Sequence, residues 1–141
     1  MSKELINQYI NIGHKLSEDH LRSLSNQQLK SYWRMRLMNL NVKHLEDYEL
    51  KLAPIDIKRK YINHIIDSQI YINYNVYKNM PKDLQFEYIN VMSKNKYGII
   101  TELLKVISVD LKKLYIDNRI KGGLHLNRFE KDLAKELNYN E

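Results

Sequence analysis

Apolar positions recur along this chain with a period near 27 residues, and within each period they keep helical spacing. Taking Ser2, Ser25, Pro54, Pro81 and Ser108 as position zero, position +7 is Tyr9, Tyr32, Tyr61, Tyr88 and Tyr115. Position +8 is Ile10, Trp33, Ile62, Ile89 and Ile116, and position +9 is Asn11, Arg34, Asn63, Asn90 and Asp117. Position +3 is Leu5, Gln28, Ile57, Leu84 and Leu111. Residues at +3, +7 and +8 share one face of a helix of about thirteen residues. Four of the segments also repeat upstream. Position −9 is Leu16, Leu45, Ile72 and Ile99, position −4 is Leu21, Leu50, Tyr77 and Leu104, and position −1 is Leu24, Ala53, Met80 and Ile107. These fit a short first helix preceded by an apolar staple residue.

The punctuation agrees with this phase. Serine at zero can accept an orphan backbone N–H of a helix start, and proline suits the first turn because it has no N–H to satisfy. Ser25 with Gln28 has capping-box spacing, and Ser17 and Asn73 are placed to cap the short helices. Gly122–Gly123 follows the last long helix, where a left-handed residue can end it. The chain is thus expected to be all-α, a short solenoid or compact array of two-helix repeats. It comprises about nine or ten helices, including a lone first helix over residues 3–14 and a final one near 127–137. The expected units, within one domain spanning 1–141, are approximately 1–15, 16–41, 42–69, 70–97, 98–123 and 124–141. Spacings of 23, 29, 27 and 27 residues between zeros place the irregularity in the joints. The motifs of longer-period two-helix families, such as tetratricopeptide and HEAT repeats, are absent; only the general architecture is shared.

One stretch tests the phase. DSQIYINYNVYKNMP, from Asp67 to Pro81, alternates like a strand. The repeat divides it instead: one long helix ends at its start, Ile72 is the staple, Asn73 caps a short helix with Tyr77 inward, and Pro81 opens the next. On this reading Tyr71 is the tyrosine of that stretch left for a partner.

Composition narrows the class. With 43% hydrophobic and 28% charged residues, the 141-residue chain can build a real core. No apolar run approaches the ~20 residues that span a bilayer, and the start of the chain lacks a charged-then-apolar leader pattern. An intracellular, cytoplasmic location and no membrane partner are expected; the Asn-, Ile-, Lys- and Tyr-rich composition adds a viral or phage origin, with host cytoplasm or virion as the place. The absence of cysteine excludes disulfides and thiolate metal sites. The net charge of +6 is spread out, at +2 over residues 1–53 and −1 over 122–141. Such a charge favours anionic partners without specifying a fold.

Catalytic chemistry has little support. The five histidines form no two-ligand helical spacing, no phosphate-loop glycine motif exists, and no serine sits in a nucleophile elbow. No catalytic residue, metal or cofactor is expected. What remains is a basic strip: Lys30, residues Lys58, Arg59 and Lys60, Lys112 and Lys113 at positions +4 to +6, and Arg36 and Arg119 at +11. Exposed aromatic contacts are expected at Tyr71 and Phe86, while the five +7 tyrosines, Tyr9, Tyr32, Tyr61, Tyr88 and Tyr115, serve packing. Three functions fit: a non-catalytic scaffold binding another protein through a helical-repeat surface, a nucleic-acid-associated protein gripping phosphates through the strip, or a structural component of a viral or phage assembly.

Overall fold

A computed structural model of the chain describes residues 2–38 and 44–139. The expected boundary at 41/42 lies outside the described residues. Ten α-helices and no strand occur among them. The chain divides into two units, Met1–Tyr61 and Ile62–Glu141.

The first unit holds α1 (Lys3–Asn11), α2 (Glu18–Ser23), α3 (Asn26–Met38), α4 (Asp47–Leu52) and the beginning of α5 (Ile55–Asp67). Helix α1 packs on α3, burying Ile10, Tyr32 and Trp33. The second unit takes the rest of α5 and then α6 (Tyr74–Lys78), α7 (Lys82–Ser93), α8 (Thr101–Val106), α9 (Val109–Lys121) and α10 (Arg128–Glu136). Its centre is the α7–α9 contact, where Tyr88, Ile89, Met92, Tyr115 and Ile116 lose all exposure. Burying an Ile or Met of this kind stabilises by roughly 1.5–3 kcal/mol relative to leaving it in water.

Local chemistry sets where most of these helices start. Side-chain oxygens of Ser2, Ser17, Asn73, Ser108 and Asn127 accept from the backbone N–H three residues on. Ser25 and Gln28 close a reciprocal box, with the Ser25 amide donating to Gln28 at 2.9 Å. Pro54 and Pro81 stand one residue before α5 and α7, not inside the first turn as expected. Their carbonyls accept the first intrahelical bonds, from Lys58 and Gln85 at 2.9 Å each.

A single device ends α1, α5, α9 and α10. Gly13, Gln69, Gly123 and Asn138 take positive φ of 71°, 52°, 64° and 65°. The next amide in each case reaches back five residues, as from His14 to Tyr9 O and from Leu124 to Arg119 O, both at 3.0 Å. This turn stops α1 at Asn11, short of the 14 expected.

Candidate functional site

Two cations expected on the surface are buried. Arg36 is 1% exposed and its guanidinium is fully engaged. It donates from Nε to Glu49 Oε2 at 2.8 Å, from Nη2 to Glu49 Oε1 at 2.7 Å and His44 O at 2.9 Å, and from Nη1 to Gly13 O at 3.1 Å. Tyr32 Oη donates to Glu49 Oε2 at 2.5 Å and accepts from the Leu16 amide at 3.2 Å. Burial, then donation to the Glu49 carboxylate, pushes the Tyr32 hydroxyl far above its ordinary pKa. The second unit builds a matching cluster. Tyr115 Oη donates to Glu130 Oε2 at 2.6 Å and accepts from the Ile99 amide at 3.2 Å. Arg119 donates to the carbonyls of Asn95, Lys96 and His125. Its Nε lies 3.7 Å from Glu130 Oε2 and has no hydrogen-bond partner. Arg36 and Arg119 therefore hold the fold and cannot reach a phosphate or a partner.

The spacing carried the signal for this correction. Position +11 lies one helical turn beyond the +7 tyrosine, on the core face. Of the other three segments, the first has Gly13 there and the remaining two place Ile65 and Met92, both buried. The partner glutamates follow the same logic. Where +11 is arginine, the third residue of the next short helix is Glu49 or Glu130; where it is Ile65 or Met92, that residue is Val76 or Leu103.

The surface offers a different feature. In the first unit an open groove of about 800 Å³ lies between α3 and α5. Leu29, Trp33, Leu37 and Ile57 form its apolar lining, and Asn26 and Met38 mark its ends. Lys30, Arg34 and Lys60 stand exposed along it, against Asp56, the single acid lining it among the described residues. Trp33 is only 3% exposed and packs edge-on to Tyr32, centroids 5.0 Å apart. A smaller hollow of about 380 Å³ lies beside it, lined by Leu21, Arg22, Leu52 and Pro54 as well as Leu29 and Trp33.

The second unit has its own hollow of about 350 Å³, lined by Tyr77, Lys78, Lys82, Phe86, Val106 and Leu111 among others. Counted from position zero, these offsets match the first unit. Tyr77 and Lys78 stand where Leu21 and Arg22 do, Phe86 where Lys30 does, and Val106 and Leu111 where Leu52 and Ile57 do.

The strip residues thus separate. Lys30 and Lys60 meet at the first groove, while Lys58 and Arg59 on the same turn of α5 are half-buried. Lys112 is half-buried and Lys113 exposed on α9. Phe86, 53% exposed, lines the second hollow. Tyr71 is 46% exposed, but Tyr74 is equally open at 47%, so two tyrosines of that stretch are free of the core, not one. Tyr77 is buried. Among the described residues no group of three His, Asp or Glu is placed to hold a metal ion, and no helix is long and apolar enough to cross a membrane. No family model, curated protein or solved structure matches this chain.

Proposed function

We propose that this chain is a non-catalytic binding protein of tandem two-helix units, recognising another protein through its helix-lined grooves. The observation that carries the reading is the recurrence of a cation-rimmed hollow at matching offsets in both units, apolar in the first and of mixed polar and apolar lining in the second. Support for tandem units comes from one bond. The +7 tyrosine hydroxyl pairs with the backbone sixteen residues earlier in every full segment: Tyr32 with Leu16, Tyr61 with Leu45, Tyr88 with Ile72 and Tyr115 with Ile99. A helical hairpin of this size cannot cover its own apolar face and must bury it against a neighbouring helix.

The test is site-directed photocrosslinking in the native source, with the probe at Leu37 or Phe86 and a control at Tyr97, 71% exposed and outside both hollows. A protein crosslinked from Leu37 and Phe86 but not from Tyr97 is the expected result; crosslinks to nucleic acid alone overturn it. The phosphate-binding reading retains Lys30, Lys58, Arg59, Lys60, Lys112 and Lys113 but loses Arg36 and Arg119. It requires oligonucleotide binding at about 50 mM salt, with a salt slope that flattens when residues 58–60 become glutamine.

A further inference from the structure

The α3/α5 groove states more about its occupant than that it is a protein. It runs the whole of α3, thirteen residues or about 20 Å, which is the length of a three- to four-turn helix. Its walls are helices whose backbone groups are already paired within themselves, so the groove presents no sheet edge to an extended chain. An extended peptide laid on Leu29, Leu37 and Ile57 would bring unpaired N–H and C=O groups against apolar side chains, whereas a helix satisfies its own. The rim decides the charge. Lys30, Arg34 and Lys60 are exposed on it and, among the described residues, Asp56 is the single acid lining it, so a basic flank would meet like charge. The groove is a poor seat for bases, because Trp33 at 3% exposure turns no open ring face outward for stacking.

The geometry points to this groove as the seat of an amphipathic helix from a partner protein, apolar on the inserted face and carrying Asp or Glu along its flanks. This rests on the binding-protein reading above and gives it a ligand chemistry. Apolar burial supplies the affinity, and the lysines and Arg34 supply orientation and choice of partner.

A displayed library of helical peptides about 14 residues long tests it. Leucine is fixed at i, i+3, i+4 and i+7, the flanking positions are randomised, and the full chain is the bait. Selected peptides are titrated while emission is read from Trp33, which lines the groove and is the sole tryptophan of the chain. Acidic flanks should be enriched. The dissociation constant should rise about tenfold or more in the Lys30→Glu/Lys60→Glu variant, and Lys-flanked peptides should then be preferred. Both lysines are exposed, so the variant's circular dichroism should match the parent. Enrichment of neutral or basic flanks overturns the inference. So do acidic winners that bind the variant unchanged, although binding at another face leaves the broader reading standing. If no peptide is selected and an oligonucleotide of about 20 nucleotides quenches Trp33 instead, both readings fall.

Discussion

Replacing Arg36 by methionine, which keeps the stem's volume but removes the guanidinium, isolates the buried ion pair. Arg36 is 1% exposed and Glu49 fully buried. The change deletes two bonds to the carboxylate, at 2.8 and 2.7 Å, and leaves Gly13 O and His44 O without that donor. Removing one partner of a buried pair costs about 3–5 kcal/mol. Tyr32 Oη and the Glu46 amide still donate to Glu49. The expected loss is therefore near the lower end, about 3 kcal/mol, a large part of the ~5–15 kcal/mol that holds a typical domain. Glu49→Gln strands the guanidinium instead and should cost about as much. The double variant buries a neutral amide, still an acceptor for Tyr32, beside an apolar stem. It should lose well under the sum, giving a coupling of about 2–3 kcal/mol. Urea unfolding followed by Trp33 emission reads the first unit directly, and the same cycle at Arg119 and Glu130, followed by circular dichroism because the sole tryptophan lies in the first unit, is the internal comparison. There Nε stands 3.7 Å from the carboxylate, so the coupling should be smaller by about 1 kcal/mol. An Arg36→Met loss below about 1 kcal/mol, or strict additivity in the double variant, would refute the assignment of structural weight to this pair.

Other outcomes follow from the same contacts. Burial raises the hydroxyl pKa of Tyr32, Tyr61, Tyr77, Tyr88 and Tyr115, that of Tyr77 to about 12. Because the folded values exceed the unfolded value of ~10, this contribution is intact below pH ~10 and is lost as pH climbs beyond it. Denaturant midpoints measured between pH 9 and 11.5 should fall only in the upper half, and a flat profile would contradict the burial. Gly98→Ala should destabilise the second unit by at least about 3 kcal/mol, combining left-handed backbone strain with disruption of a buried hydrogen bond. A Cβ there would stand 2.0 Å from Tyr115 Oη, at φ +70°; a near-neutral thermal melt would count against that packing. Tyr32→Phe should cost more than Tyr88→Phe, since Tyr32 Oη donates to a carboxylate and Tyr88 Oη to the Ile70 carbonyl at 2.9 Å. Equal losses in chemical denaturation would remove the distinction.

Much of the fold was legible in the chain because it is locally encoded. Helix starts at Ser2, Ser17, Asn73, Ser108 and Asn127 each depend on one side chain and the amide three residues on. The strand-like run from Asp67 to Pro81 resolved into a helix end, a buried Ile72 and a short helix for the same reason: Gln69 and Asn73 act within one or two turns. The +7 and +8 positions declared themselves as core, with only Tyr9 of the first segment left half-buried, because periodicity is a direct image of which face is covered.

What the sequence by itself could not decide was the fate of its charges. Lys30 and Arg36 lie on the same helix and look alike in composition, yet one stands at an open groove and the other is enclosed. The difference is made by groups distant along the chain: Glu49 thirteen residues on, Gly13 O twenty-three residues back and the Leu16 amide sixteen residues before Tyr32. Only when tertiary packing brings these together does a buried guanidinium become affordable. The same packing leaves Lys30, Arg34 and Lys60 along one apolar groove. Local pattern determined the helices; long-range pairing and burial decided which cations build the protein and which remain for a partner.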